Sequence, residues 1–311
     1  MPQPLKPLAL YPGDSIRILS LSSPVEEDRL KRGCDELTQL GYALRLDRAS
    51  VLARDGFFAG AGGERIAALK DALQETATRA IFLSRGGYGS NYLLSRLDLD
   101  AASVKSVVGY SDATSLQIYL WQKFRWVTFY GPMVAAGLDK AAGAPQGYDR
   151  DTLTRALTET RQGWSIDLRA EPISSGVAEG VLLGGCLTLV ETTLATPWEL
   201  ETKGSVLFLE DRAMKPWQVD RALMHLKQAE KFHGVAGIVL GEFPESDAPA
   251  GTETVLDVAR RILAPLGIPV AWGAPIGHAR KPMLTLPLGV RARLSVDAGA
   301  KLDILEPAVV A

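Results

Sequence analysis

The sequence predicts an α/β protein with a mainly parallel sheet in its first half and a β-rich α/β second half. Two observations carry this reading. Short apolar, β-branched runs alternate with longer amphipathic stretches from Ser15 to about Tyr130, the pattern of strands joined by helical crossovers. Beyond Gly180 strand-like runs crowd together and the chain closes on a hairpin pattern. Composition agrees, since 311 residues with 47% hydrophobic content can bury a core large enough for two domains.

In order, the first half reads as strand 16–20, helix 26–40, strand 43–46, helix 64–73, strand 80–83, strand 106–108 and helix 113–123. Between 138 and 180 the texture turns to Ala, Gly, Gln and Ser, with one helix expected at 151–157. The second half reads as strands 177–182, 205–209, 235–240 and 269–272, helices 187–194, 218–229 and 254–263, and a hairpin over 290–304 turning at Asp297-Ala298-Gly299. Accordingly, 1–145 is expected to form a first domain, 146–176 a linker and 177–311 a second domain.

Charge and cysteine content exclude several classes. A net charge of -2 gives no electrostatic case for nucleic acid or an anionic membrane. Two cysteines, Cys34 and Cys186, support neither a disulfide framework nor a cysteine-built zinc site. The first residues are interrupted by proline and lack a secretory apolar core, and no later run is long enough to span a bilayer. A cytoplasmic location is therefore expected.

Three distant pieces read together as one site: Gly109-Tyr110-Ser111-Asp112, Phe208-Leu209-Glu210-Asp211 and Gly277-His278. Each follows a strand-like run, where α/β proteins present their chemistry. Ser111 falls at a strand-to-helix elbow, where a hydroxyl projects from the sheet and the next N–H groups can stabilise an anion. A Ser-Asp pair before a helix can equally be an N-cap. Glu210 ends an apolar run, so burial should drive its carboxylate to a partner, with Arg212, Lys215 and Arg221 as ordinary salt-bridge choices. Of three histidines, His225 lies in an amphipathic helix pattern and His233 in a turn, whereas His278 sits in a glycine-flanked loop able to aim an imidazole across a cleft. Ser, Glu and His are the attacking atom, orienting carboxylate and proton carrier of an activated hydroxyl nucleophile.

Ser84-Arg85-Gly86-Gly87-Tyr88-Gly89-Ser90 follows another apolar strand. It lacks both the Walker ending and the G-x-G-x-x-G spacing. Its N–H groups could serve a phosphate or an oxyanion, and it could also be a plain βα turn.

The glycine loop, Gly-Tyr-Ser-Asp, Leu-Leu-Gly-Gly, Phe-Leu-Glu-Asp followed by Lys-Pro and Asp220-Arg221, and Gly-His before Leu286-Pro287-Leu288-Gly289 together resemble the LD-carboxypeptidase family of serine peptidases. The family includes murein tetrapeptide carboxypeptidases and microcin C self-immunity peptidases. The resemblance spans nearly the whole chain. It implies a flavodoxin-like first domain, a β-rich second one, a cytoplasmic homodimer and no metal or organic cofactor. It also implies Ser111 as nucleophile, His278 as general base then acid, Glu210 as orienting carboxylate, and the N–H groups of Gly87 and Asp112 as an oxyanion hole. The implied reaction releases terminal D-alanine from a murein-derived tetrapeptide during cell-wall recycling. Arg85, Tyr88 and Arg280 are candidate substrate contacts, since a free carboxylate needs cationic or N–H partners. One departure is Cys186, where Asn is expected after Leu183-Gly184-Gly185. Three other readings stand beside this one: a peptide-nucleotide peptidase of the microcin type, a non-catalytic two-domain binding protein, and an amidase using Cys186 as nucleophile.

Overall fold

The structure, a computed structural model, describes residues 3–99, 104–161 and 163–311. The chain begins β1 (Ser15–Leu19), α1 (Glu27–Gln39), β2 (Ala43–Arg45), α2 (Arg48–Val51), α3 (Gly62–Gln74), β3 (Thr78–Leu83), α4 (Asn91–Leu94), β4 (Ser106–Gly109), α5 (Ala113–Phe124) and β5 (Thr128–Tyr130). It continues α6 (Arg150–Thr158), β6 (Trp164–Asp167), β7 (Glu171–Ser174), β8 (Gly176–Cys186), α7 (Leu187–Glu191), β9 (Ser205–Glu210), α8 (Pro216–Gln228), β10 (Gly237–Gly241) and α9 (Val255–Leu263). Then come β11 (Val270–Ala274), β12 (Leu286–Leu288), β13 (Arg291–Val296) and β14 (Ala300–Ile304).

The first sheet has the order β2-β1-β3-β4-β5-β12. Its first five strands run parallel, and β12 returns from the far end of the chain to pair antiparallel with β5. The order 2-1-3-4-5 is that of the flavodoxin-like sheet, in which ligands bind beyond the carboxyl ends of the strands. The second sheet has the order β6-β14-β13-β8-β9-β10-β11-β7, with a parallel centre from β8 to β11 and antiparallel strands outside it. Fold class and element pattern follow the sequence expectation.

Two expectations need correction. The stretch 146–176 is structured, since α6, β6 and β7 occupy it and the two strands form opposite edges of the second sheet. These strands are short, and β7 carries Pro172, a residue tolerated where an edge leaves the N–H side free. The helix expected at 187–194 ends at Glu191.

Local patterns explain the elements that flank the site. In α1, Leu30, Gly33, Glu36 and Leu37 are buried, a spacing that lays one helical face on the sheet. Thr254 caps α9 by accepting the N–H of Asp257 at its hydroxyl, and the Asp257 carboxylate in turn accepts the Thr254 N–H. Every residue of α5 from Ala113 to Trp121 is buried, because the helix lies between the sheets. Leu116 and Leu120 pack with Leu83 and Val107 of the first sheet, whereas Ile118 and Trp121 pack with Leu183 and Leu207 of the second. β9 and β10 are buried throughout, as central parallel strands covered on both faces are.

Candidate active site

Ser111 follows β4 with φ +62°, in the left-handed region that favours glycine. Such a backbone costs on the order of 1–3 kcal/mol and persists only where surrounding contacts enforce it. Here the Ser111 N–H donates to the Tyr130 hydroxyl at 3.3 Å, and the Ser111 carbonyl accepts from the Thr114 N–H at 2.9 Å. Asp112 does not cap α5 with its side chain. Its carboxylate accepts the Ser90 N–H at 2.8 Å and its carbonyl accepts the Ser90 hydroxyl at 2.6 Å, tying the glycine loop to the elbow. Burial raises the pKa of this carboxyl despite those donors. A Cβ on Gly86 would lie 2.8 Å from the Ser111 Cβ and 2.9 Å from its Oγ, so the loop can approach the serine only as glycine. Gly87 lies beside it on the wall of the same cavity.

Glu210 ends β9 with its side chain fully buried. None of the ordinary salt-bridge choices takes it, and Arg212 pairs instead with Glu245 at 2.5 Å. Glu210 Oε2 accepts the His278 backbone N–H at 2.9 Å and faces His278 Nδ1 at 2.9 Å, while Oε1 accepts the Tyr130 hydroxyl at 2.6 Å. A carboxylate at Nδ1 fixes the proton there and leaves Nε2 free to accept. Burial alone would lower the His278 pKa, but the Glu210 charge and hydrogen bond outweigh it and the net shift is upward. Gly277 has φ +63°, and a Cβ there would lie 2.5 Å from the Glu210 carboxyl carbon, so this glycine lets the histidine loop close over the carboxylate. The Tyr110 ring meets the imidazole edge-on at 5.1 Å between centroids.

Ser111 and His278 line one cavity of about 660 Å³, a volume suited to a small ligand. Arg29, Arg32, Arg85, Lys140, Arg212 and Arg280 also line it, against Asp211 and Glu245 as the acidic members. The cleft is thus basic in a chain whose net charge is -2. Arg85 is half-buried and donates to the Pro24 carbonyl at 3.2 Å; burial first, then the charge of Arg29, lower its pKa. The Arg280 backbone N–H is held by Glu242 at 2.6 Å, and its side chain is exposed. Tyr88 is placed differently: it is exposed, its ring meets Phe58 at a tilt and Tyr92 edge-on, and it is not among the residues lining the cavity. His225 pairs with Glu191 on the surface, and His233 also lies off the cavity.

Cys186 is buried and its thiol donates to Asp211 at 3.3 Å. Burial first, and the Asp211 charge next, push its pKa well above the usual value. A thiol held protonated in this way is a poor nucleophile, so the geometry counts against the Cys186 amidase reading. Tyr110, Tyr130 and Asp211 were not singled out from sequence. Tyr110 and Asp211 stand beside Ser111 and Glu210 in the named motifs and so carry a local signal, whereas Tyr130 carries none.

A two-sheet α/β protein with a Ser, His and Glu constellation facing a basic cleft is the class that fold and site define. Residues 16–131 match the LD-carboxypeptidase N-terminal domain and residues 179–294 the LD-carboxypeptidase C-terminal domain. The chain is 31% identical to the "probable murein peptide carboxypeptidase" of Bacillus subtilis, over 98% of this chain and 95% of that one. The chain belongs to the LD-carboxypeptidase family, and with it to the peptidases. Among solved structures it is similar to the microcin C7 self-immunity protein MccF in complex with aspartyl sulfamoyl adenosine, with a TM-score of 0.91 and 26% identity over 98% of this chain and 100% of that one. It is also similar to the muramoyltetrapeptide carboxypeptidase of Oxalobacter formigenes, with a TM-score of 0.83 and 27% identity over 96% of this chain and 100% of that one. No helix among the described residues is long and apolar enough to cross a membrane.

Proposed function

We propose that the protein is a serine-type LD-carboxypeptidase that releases the terminal D-alanine of a murein-derived tetrapeptide. The observation that carries this reading is His278, paired with the buried Glu210 carboxylate, lining one cavity with Ser111 on its strained elbow. Ser111 Oγ attacks the scissile carbonyl carbon while His278 Nε2 takes its proton, and Glu210 holds the resulting imidazolium. The N–H groups of Gly87 and Asp112 donate to the oxyanion. His278 then gives its proton to the departing amine, and a water it deprotonates hydrolyses the acyl-enzyme. Cell-wall peptide recycling in the cytoplasm and a homodimeric state belong to the same reading.

The decisive assay incubates the purified protein with murein tetrapeptide and with its all-L analogue, and follows release of the terminal residue by mass spectrometry. Release from the first alone supports the L,D assignment, equal release removes it, and binding without release favours a non-catalytic binder. The likeness to MccF favours a second substrate class, so an aminoacyl sulfamoyl adenosine belongs in the same assay.

Terminal-carboxylate recognition rests on the basic wall, with Arg85 and Arg280 as its proposed contacts. Amidating the carboxyl terminus of the tetrapeptide should lower kcat/KM by about tenfold to a hundredfold, the loss of one charge-assisted hydrogen-bond pair. Equal cleavage of both peptides would mean that the basic wall does not read the chain end.

Neither a thiol nor a metal has a part in these steps. Activity should therefore survive chelator treatment and Cys186→Ser to within about threefold, since a serine hydroxyl can still donate to Asp211. Silencing by chelator with recovery on added zinc would contradict the hydroxyl mechanism.

A further inference from the structure

Tyr130 ends β5 in the first sheet, yet its side chain reaches the second. Its ring meets Phe208 of β9 edge-on at 4.9 Å between centroids, and its hydroxyl donates to Glu210 Oε1 at 2.6 Å. The same oxygen accepts the Ser111 N–H at 3.3 Å. The residue is completely buried, so its hydroxyl depends on partners within the protein. A phenol has one proton to donate, and the Glu210 carboxylate accepts that hydrogen bond.

We propose that Tyr130 is a positioning residue that locks the Glu210 carboxylate in the orientation serving His278 and braces the strained Ser111 backbone from the same oxygen. The proposal rests on the Ser111, His278 and Glu210 reading above and adds a fourth member, which acts only through the other three. Its geometry accounts for two features at once. Glu210 Oε2 serves the His278 N–H and is the nearer oxygen to Nδ1, at 2.9 Å against 3.3 Å for Oε1, which the short bond to Tyr130 holds on the far side. The left-handed Ser111 backbone directs its N–H to the Tyr130 hydroxyl, which supplies the acceptor. Burial, followed by the charge of Glu210, raises the phenol pKa well above its ordinary value, so the hydroxyl stays a donor across the working range. With its proton committed and its oxygen enclosed, Tyr130 does not line the cavity. It is not a proton donor to substrate.

The test compares Tyr130→Phe in the wild-type and Glu210→Gln backgrounds, with kcat and KM measured on the tetrapeptide. Phenylalanine keeps the ring against Phe208, so folding should persist, as a thermal melt and circular dichroism would report. The expected result is a loss of about tenfold to a hundredfold in kcat, the scale of one charge-assisted hydrogen bond, with KM within about twofold. In the Glu210→Gln background the same change should cost several-fold less, because the carboxylate it orients is gone and only the brace on the Ser111 N–H remains to be lost. Equal losses in both backgrounds, or a loss confined to KM, would overturn the proposal. Tyr130→Leu separates packing from hydrogen bonding: if it alone is impaired while Tyr130→Phe matches wild type, the ring matters and the hydroxyl does not, and the proposal falls. Failure of the underlying reading looks different, since Glu210→Gln by itself would then retain the wild-type rate.

Discussion

Ser111→Ala is expected to reduce kcat by roughly 10⁴- to 10⁶-fold, the scale seen when a nucleophile is removed from a working triad. The fold should survive. No protein hydrogen bond to Ser111 Oγ is found among the described residues, and the contacts that enforce the elbow run through its backbone N–H and carbonyl. Alanine in the same left-handed backbone therefore forfeits little, and the melting temperature should shift by no more than a few degrees, corresponding to about 1 kcal/mol. Peptide should still bind, which equilibrium dialysis would measure. Turnover within tenfold of wild type would remove the serine mechanism and return the thiol or the binder to consideration.

His278→Ala is expected to match that loss, and the double variant with Ser111→Ala should be little worse than either single one, because residues that act as a unit lose their contribution together. His225→Ala and His233→Ala, off the cavity, should leave turnover unchanged. The pH dependence carries a sign. His278 accepts a proton only when neutral, and its pKa is raised because Glu210 outweighs burial. Wild-type kcat/KM should therefore climb as pH rises through that value, with its midpoint above the ordinary 6.5 of histidine. Stability runs the other way, since the attraction between protonated His278 and Glu210 is fully present below the unfolded pKa and is lost as pH rises through the folded one. A midpoint below 6.5, or additive losses in the double variant, would count against His278 as the base.

Strand and helix alternation in the first half was legible because the strands are short, largely apolar runs and helices such as α1 and α3 bury one face and expose the other. The elbow was legible for the same reason, as Val107 and Val108 lead straight into Gly109 and α5. Glu210 and His278 could be singled out because a carboxylate ending a buried strand and a glycine-flanked histidine are unusual locally. What stayed hidden depends on partners remote in sequence. β6, β7 and β12 are strands of three or four residues, and only their pairing with β14, β11 and β5 makes them so. Tyr130 bonds to residues 19 and 80 positions away, so no window of sequence announces it. Tyr88 shows the converse, since its neighbour Gly87 lines the cavity while its own ring lies against Phe58 and Tyr92.

β12 gives the molecule a dependence that neither half alone displays. Leu286–Leu288 leaves the histidine loop, crosses to the first sheet to cover β5, and hands the chain back to β13 in the second. A fragment ending before it would present the Thr128–Tyr130 edge bare, an open template for pairing with another chain. The last strand to join the first sheet is thus its guard against self-association, and it is supplied by the segment that carries His278. A severed first half would lose its protection from aggregation together with its base.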